Sequence, residues 1–477
     1  MRKRFDAQLS LGCTPIEDVE IPAKTRAHMA NLMEALQYMY THPEWNQRIF
    51  DLLSDKVCGG KQSTGRWGMS LWEIFVLGQV RHCLNTSYDE LHYRANYDNL
   101  LRGILGVLPS DFSLGKQYEY QNIYDNVGLL DEELLQGIND VIVEMGHGVF
   151  KKKEAAALRV KTDSFAVETD VHFPTDYNLL WDSGRKCIDI AGKLALPGWR
   201  KSNHWRRNLK GLMRAVGKTS SSGGPNKAER VGKAVRAYLR KARSLEKKVR
   251  KAFPSHTSGE AADLARLVQL DYYHQMLAKH IDLVERRLIK GETIPHCEKV
   301  FSIFTPWTEL IKKGKRNPSV EFGKNLAVTS DQYHLIVDWQ IAEGQADSQL
   351  TVPIARRVTD KYPVGSLSVD RGFSDMGDKA LLEGFIPQVI MPKKGKRNQA
   401  EKAIESAPGF RKLKNKHNAI ESNINELEHR GLDRCPDRTQ ENFHRYVGLA
   451  ITAYNLHKIG RELLRQRRAE VRRSKAA

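Results

Sequence analysis

The stretch Leu158-Arg-Val-Lys-Thr-Asp-Ser-Phe-Ala-Val167 nearly alternates apolar and polar side chains and is rich in β-branched residues, which is the pattern of a β-strand. From about residue 179 to 290 the pattern is helical, interrupted by the flexible Thr219-Ser-Ser-Ser-Gly-Gly-Pro225. Strand signals resume only after Pro295. A sheet begun near residue 158 must therefore accept a long helical insertion before its next strand. The later signals are Val300-Phe-Ser-Ile-Phe304, then residues 320–328 and 334–341 as a hairpin around Thr329-Ser-Asp-Gln332. A helix over 350–361, the strand Ser366-Leu-Ser-Val-Asp370, a further helix and the short strand Pro387-Gln-Val-Ile-Met-Pro392 imply a locally parallel part of the sheet.

Residues 26–150 read as helical. Leu71 to Leu84 is mostly apolar, which predicts a largely buried helix, and Ser87-Tyr-Asp-Glu90 is a capping box opening the next. The pair fits a helix-turn-helix-like module, and equally an ordinary helical domain without DNA contact. Near the other end Ile420, Ile424 and Leu427 recur at helical spacing, and a long amphipathic helix starts near residue 440. The chain is expected to divide into a helical N-terminal domain (1–150), an α/β core (151–180 and 295–435), a helical insertion (181–294) and a C-terminal helix with a basic tail (436–477).

At 477 residues the chain is long enough for two or three domains. No stretch approaches the ~20 apolar residues of a membrane span, and mean hydropathy is −0.53. Met1-Arg-Lys-Arg-Phe-Asp has no apolar segment behind it, so no secretory signal is expected. The six cysteines lack metal-site spacing and read as reduced thiols. A soluble, cytoplasmic protein with no membrane partner is expected. The net charge of +19 points to a polyanion as partner. Between Arg200 and Lys251 stand 18 basic residues and two acidic ones, a local excess of +16. Arg200, Lys201, Arg206, Arg207, Arg236, Arg240, Lys241 and Lys248 are its candidate nucleic-acid ligands, joined by Lys393, Lys394, Lys396 and Arg397. A third cluster runs from Arg465 through Lys475.

Asp163 lies within the first strand, Asp370 at the end of a later one, and Glu421 on the helix that follows the sheet. Strand ends are where sites form in α/β sheets. Three converging acids repel unless cations neutralise them, and hard oxygen donors select Mg²⁺ or Mn²⁺. Two such ions can drive in-line displacement at a phosphodiester. Glu168 or Asp170 takes the place of Asp163 if the strand register differs.

The string Asp163-Ser-Phe-Ala-Val-Glu-Thr-Asp-Val-His-Phe-Pro-Thr-Asp176 resembles the first-aspartate block of bacterial insertion-sequence DDE transposases. Val369-Asp-Arg-Gly-Phe-Ser374 is similar to their second-aspartate strand. Asn418-Ala-Ile-Glu-Ser-Asn-Ile-Asn-Glu-Leu427 with Gly431-Leu-Asp-Arg-Cys435 resembles their glutamate helix. The blocks stand in family order over about residues 158 to 460. The resemblance implies a ribonuclease-H-like core split by the basic helical insertion, with two Mg²⁺ ions held by Asp163, Asp370 and Glu421. It further implies double-stranded DNA as partner, both transposon ends and target, and cleavage followed by strand transfer by a homo-oligomer assembled on DNA. A related two-metal nuclease and a domesticated DNA-binding protein are the rival expectations. One subgroup's signature around the glutamate is absent, with Lys414, His417 and Glu428 where it has tyrosine, arginine and lysine. The resemblance therefore does not carry that subgroup's hairpin chemistry over to this chain, and the route of second-strand cleavage stays open.

Gly211-Leu-Met-Arg-Ala-Val-Gly-Lys-Thr219 imitates a phosphate loop, but has five residues between its glycines and no preceding strand, so no ATP site is expected. His172 reads as structural or phosphate-facing. Trp199, His204 and Trp205 either stack on bases or anchor the insertion.

Overall fold

A computed structural model of the chain describes residues 2–4, 11–59, 68–111, 115–153, 156–196, 199, 202–252, 260–312 and 319–475. It divides into two compact units, Met1–Asp170 with Ile311–Ala477, and Val171–Leu310. Arg200 and Lys201 lie outside the described residues.

Among the described residues seven α-helices precede the first strand: α1 (His28–Thr41), α2 (Pro43–Cys58), α3 (Leu71–Cys83), α4 (Tyr88–Tyr97), α5 (Asn99–Ile104), α6 (Tyr120–Val127) and α7 (Glu132–Val149). All 13 residues of α3 are buried, as a helix without a polar face requires. It opens on a reciprocal capping box between Ser70 and Glu73, and at α4 the Ser87 hydroxyl accepts the N–H of Glu90.

Strand β1 (Leu158–Thr169) follows. The second unit then supplies α8 (Asp176–Lys193), α9 (Ser202–Ser221), α10 (Lys227–Ala252) and α11 (Ala261–Leu288), packed on a core of their own around Tyr238, Leu239, Leu245 and Leu277. The chain continues through β2 (Glu309–Lys312), β3 (Val320–Ser330), β4 (Ile336–Ile341), α12 (Asp347–Lys361), β5 (Val364–Val369), α13 (Met376–Glu383) and β6 (Val389–Ile390). It closes with α14 (Gln399–Ser406), α15 (Pro408–His417), α16 (Ala419–Leu427), β7 (Arg434–Cys435) and α17 (Gln440–Ser474).

The seven strands form one mixed sheet in the order β2-β3-β1-β5-β6, with β4 also on β3 and β7 also on β1. β3 runs antiparallel to β1, whereas β5 and β7 run parallel to it. The chain is thus an α/β protein with a helical N-terminal region. Val300 to Phe304, expected as a strand, is not one. The Ser302 hydroxyl accepts the N–H groups of Phe304 and Thr305, turning the backbone, and Ile303 meets its hydrophobic need by burial in that turn.

One hydrophobic core runs through the N-terminal helices, one face of the sheet and α17. Asn455, buried in α17, clamps helix to sheet: its side chain accepts the N–H of Ile336 at 2.8 Å and donates to the carbonyl of the same residue at 2.9 Å. The Asn139 amide of α7 donates to that carbonyl too. Further along, α17 crosses α1 so closely that a Cβ at Gly460 would lie 1.7 Å from the carbonyl oxygen of Asn31. Gly460→Ala should therefore destabilise the fold by about 3 kcal/mol or more. Gly148→Ala, where nothing lies within 4 Å, should gain about 0.5 to 1 kcal/mol from helix propensity. Denaturant midpoints would check both; equal effects would show that the two helices are not locked by backbone contact.

Candidate active site

Because Thr162 pairs with Val369 in the parallel register of β1 and β5, the next residues, Asp163 and Asp370, stand side by side. Asp163 is mid-strand, opposite Val328 of β3, while Asp370 is the first residue beyond β5. The Asp163 carboxylate accepts the N–H of Ser164 at 2.8 Å. Glu421 sits exposed in the first turn of α16, a helix that packs on β1 through its buried Ile420 side. Burial, and behind it the negative charges of Asp370, Asp347 and Glu421, push the Asp163 carboxyl up to about 6, against the pull of the Ser164 N–H. The three acids expected from sequence thus share one electrostatic field. Among the described residues, however, no three His, Cys, Asp or Glu side chains converge as a ready-made ligand group for a metal ion.

Asp347 is the acid that sequence reasoning missed. It begins α12, and its Oδ1 accepts hydrogen bonds from the Ser164 hydroxyl at 3.0 Å and the Asn325 amide at 2.7 Å. Burial raises its carboxyl as well, those two bonds lower it, and Asp370 adds to the rise. An acid in the first turn of a helix is the generic signature of a helix start. Nothing local distinguishes Asp347 from such a residue.

The alternatives to Asp163 are engaged elsewhere. Glu168 is ion-paired with Arg434 at 2.7 Å where β1 meets β7, and Asp170 is exposed beyond the end of the strand. In the second unit Asp176 pairs with Arg287 at 2.9 Å, and His172 lies 3.3 Å from Asp182.

Beside the carboxylates the sheet carries cations. Lys161, Ser368 and Ala419 each stand two residues before one of the three acids, and together they line a cavity of about 220 Å³. Arg159, His334 and Lys416 complete its basic wall. Lys161 is only 8% exposed; it donates one hydrogen bond, to the carbonyl of Asp331, and burial, then Arg159 and Lys416, lower its pKa against the pull of Asp331. His334 occupies the left-handed region at φ 66° and bonds Asn423 of α16 at 3.0 Å. His417, held on Ser368 at 3.1 Å, feels both Asp370 and Glu421, and its buried Nε2 has no hydrogen-bond partner among the described residues.

The charge clusters divide into paired and open positions. Lys393 and Arg397 are ion-paired with Glu401 and Glu405, whereas Lys394 and Lys396 are exposed. Lys394 lies near enough to Asp347 to draw its carboxyl down. In the second unit Arg206 pairs with Asp189, and Arg207 is exposed. Lys241 lies 3.7 Å above the Trp205 ring, and Lys248 4.7 Å above that of Trp199, which is buried in the helical core. Along α10 the buried Val235, Tyr238, Leu239, Ala242, Leu245 and Val249 define one face. Lys233, Arg236, Arg240, Arg243, Lys247 and Arg250 line the opposite face as an exposed stripe at helical spacing. Arg243 and Arg250 have acidic partners; Lys233, Arg236, Arg240 and Lys247 have none among the described residues.

Compared with protein-family models, curated proteins and solved structures, the chain matches none. Among the described residues no helix is long and apolar enough to cross a membrane, and all six cysteines are free.

The raised carboxyl has a measurable consequence. A group at about 6 in the folded chain and 3.8 outside it contributes stability that is complete below 3.8 and lost as pH rises through 6. The difference amounts to about 3 kcal/mol at most. In chelator, wild type should therefore lose stability between pH 4 and pH 7 relative to Asp163→Asn, and the variant should melt higher at pH 7. Mg²⁺ or Mn²⁺ should raise the melting temperature of wild type more than that of the variant. Parallel pH profiles of the two proteins would show that Asp163 does not sit in the field described.

Proposed function

We propose that the chain is a DNA transposase of the DDE type, with a ribonuclease-H-like catalytic core that cleaves DNA at the ends of a mobile element and joins them to target DNA. The observation that carries this reading is the shared field of Asp163, Asp370 and Glu421 at the edge of β1 and β5. The mixed sheet interrupted after its first strand by a basic helical unit supports it as well, being what the sequence resemblance implies. The donor set fits hard divalent cations, since its oxygen donors are hard and the Asp163 carboxyl, raised by burial and by its acidic neighbours, is relieved by positive charge.

Asp163, Asp370 and Glu421 would hold two Mg²⁺ ions, or Mn²⁺ in their place, with Asp347 alongside. Such ions supply activation of an attacking water or 3′-hydroxyl and stabilisation of the leaving oxygen. The chain's own cations act on the substrate: Lys161, Lys416 and Arg159 line the adjoining cavity and offer donors to a phosphodiester beside the acids. Duplex backbone is gripped by the exposed stripe of α10. The terminal inverted repeats are read by the N-terminal helices, and work on two DNA ends requires an oligomer.

The deciding assay is cleavage and joining of DNA carrying the element's ends. Asp163→Asn, Asp370→Asn and Glu421→Gln should each lower Mg²⁺-dependent cleavage at least about a thousandfold, roughly 4 kcal/mol of transition-state stabilisation, and leave DNA binding intact. Cleavage without joining by wild type would make the chain a nuclease, and binding without cleavage a DNA-binding protein.

The stripe has its own test. Changing Lys233, Arg236, Arg240 and Lys247 to Gln should flatten the log-log dependence of DNA affinity on salt by up to roughly 3 to 4, at about 0.9 for each phosphate no longer neutralised. The weakening should be the same for specific and random duplexes, because phosphate contacts carry no base information. An unchanged slope would assign the grip to other cations.

A further inference from the structure

A second cationic site lies in the first unit, in a cavity of about 610 Å³ bordered by the start of α1, the end of α3, the segment after α16, and α17. Its floor is polar and buried. Arg430, 3% exposed, donates to the carbonyl of Cys83 at 2.8 Å and to Glu426 at 3.0 Å, and its Nε has no hydrogen-bond partner among the described residues. His457, also 3% exposed, sits 3.0 Å from both His28 and Asn31. Glu426, the cavity's carboxylate, is already committed to Lys458 at 2.5 Å and to Arg430. Burial would push Glu426 up, but His457, Lys458 and Arg430 outweigh it and hold the carboxylate ionised.

The rim adds Arg26, Arg461 and Arg468, none of which has an ion-pair or hydrogen-bond partner among the described residues. A cavity of ligand size whose single carboxylate is used internally, and whose open guanidinium groups converge, is built for an anion. The planar forks of arginine match phosphate oxygens in pairs.

We propose that this cavity is a phosphate-binding site that takes the sugar-phosphate backbone of a DNA strand, separate from the carboxylate edge of the sheet. The assignment to DNA rests on the function proposed above; the affinity for phosphate oxygens rests on the cavity alone. The full-length protein would be compared with the double variant Arg461→Gln/Arg468→Gln, and with Arg26→Gln as a second variant outside the helices. A labelled DNA duplex reports binding over a salt series, and inorganic phosphate and pyrophosphate report through the shift in melting temperature.

The expected result is a salt slope lowered by up to about 2 in the double variant and about 1 in Arg26→Gln, at about 0.9 for each phosphate released, together with loss of stabilisation by phosphate and pyrophosphate. Stabilisation abolished with the slope unchanged would keep the site but assign it to free phosphate compounds, overturning DNA as the occupant. Wild type that fails to bind duplex at all would remove the DNA reading, and the phosphate measurement would still decide the cavity. No difference from wild type in either measurement, in variants that melt normally, would overturn the proposal.

Discussion

Two carboxylates held side by side on parallel strands are the constraint around which the first unit is arranged. Like charges on neighbouring strands repel, and burial of Asp163 strengthens the repulsion by removing the screening of water. What sustains the arrangement is the position of β1, paired with β3 on one side and with β5 and β7 on the other. A strand so bound cannot shift by one residue without turning Lys161 and Asp163 toward the apolar side where Val160 and Thr162 now pack. Ser164 adds a local restraint, its N–H on Asp163 and its hydroxyl on Asp347. A fold that keeps such an arrangement gives up stability to do so.

Positive charge follows the same logic of face and period. The spacing that buries Val235, Tyr238, Ala242, Leu245 and Val249 leaves Lys233, Arg236, Arg240 and Lys247 on the opposite side of α10, so one pattern builds both the helical core and the cationic stripe. Net charge alone would have suggested a uniform coat. Instead Lys393 and Arg397 are neutralised by α14, Lys241 and Lys248 cover tryptophan rings, and the open cations gather on α10, beside the acids and at the arginine cavity.

The strands carrying Asp163 and Asp370 and the helix carrying Glu421 were legible because each has a period that survives burial: alternation in β1, the alternating Ser366-Leu-Ser-Val369 of β5, and Ile420, Ile424 and Leu427 in α16. Val300 to Phe304 misled because its apolar content matches a strand, while the deciding bonds belong to one serine hydroxyl. Asp347 was illegible for a different reason. Its importance comes from Ser164 and Asn325, partners 183 and 22 residues away. The arginine cavity draws on residues from Arg26 to Arg468, and no window of sequence spans it. Pattern reveals elements and their faces, whereas sites assembled from several elements exist only once the elements have packed.

Glu421 illustrates how far such assembly reaches. Its helix has nine residues, too few to be stable alone in water, and the glutamate itself is exposed. Its position is therefore set by what holds the rest of α16. Ile420 and Leu427 are buried, Asn423 is bonded to His334, and Glu426 is tied to Lys458 and Arg430. Arg430 in turn bonds the Cys83 carbonyl at the end of α3, which lies wholly within the core of the N-terminal helices. The glutamate at the sheet edge and the arginine cavity thus share one short helix. The N-terminal helices thus help to fix where α16 holds Glu421, and a break in the Glu426 network would be felt at that glutamate without any change to the sheet.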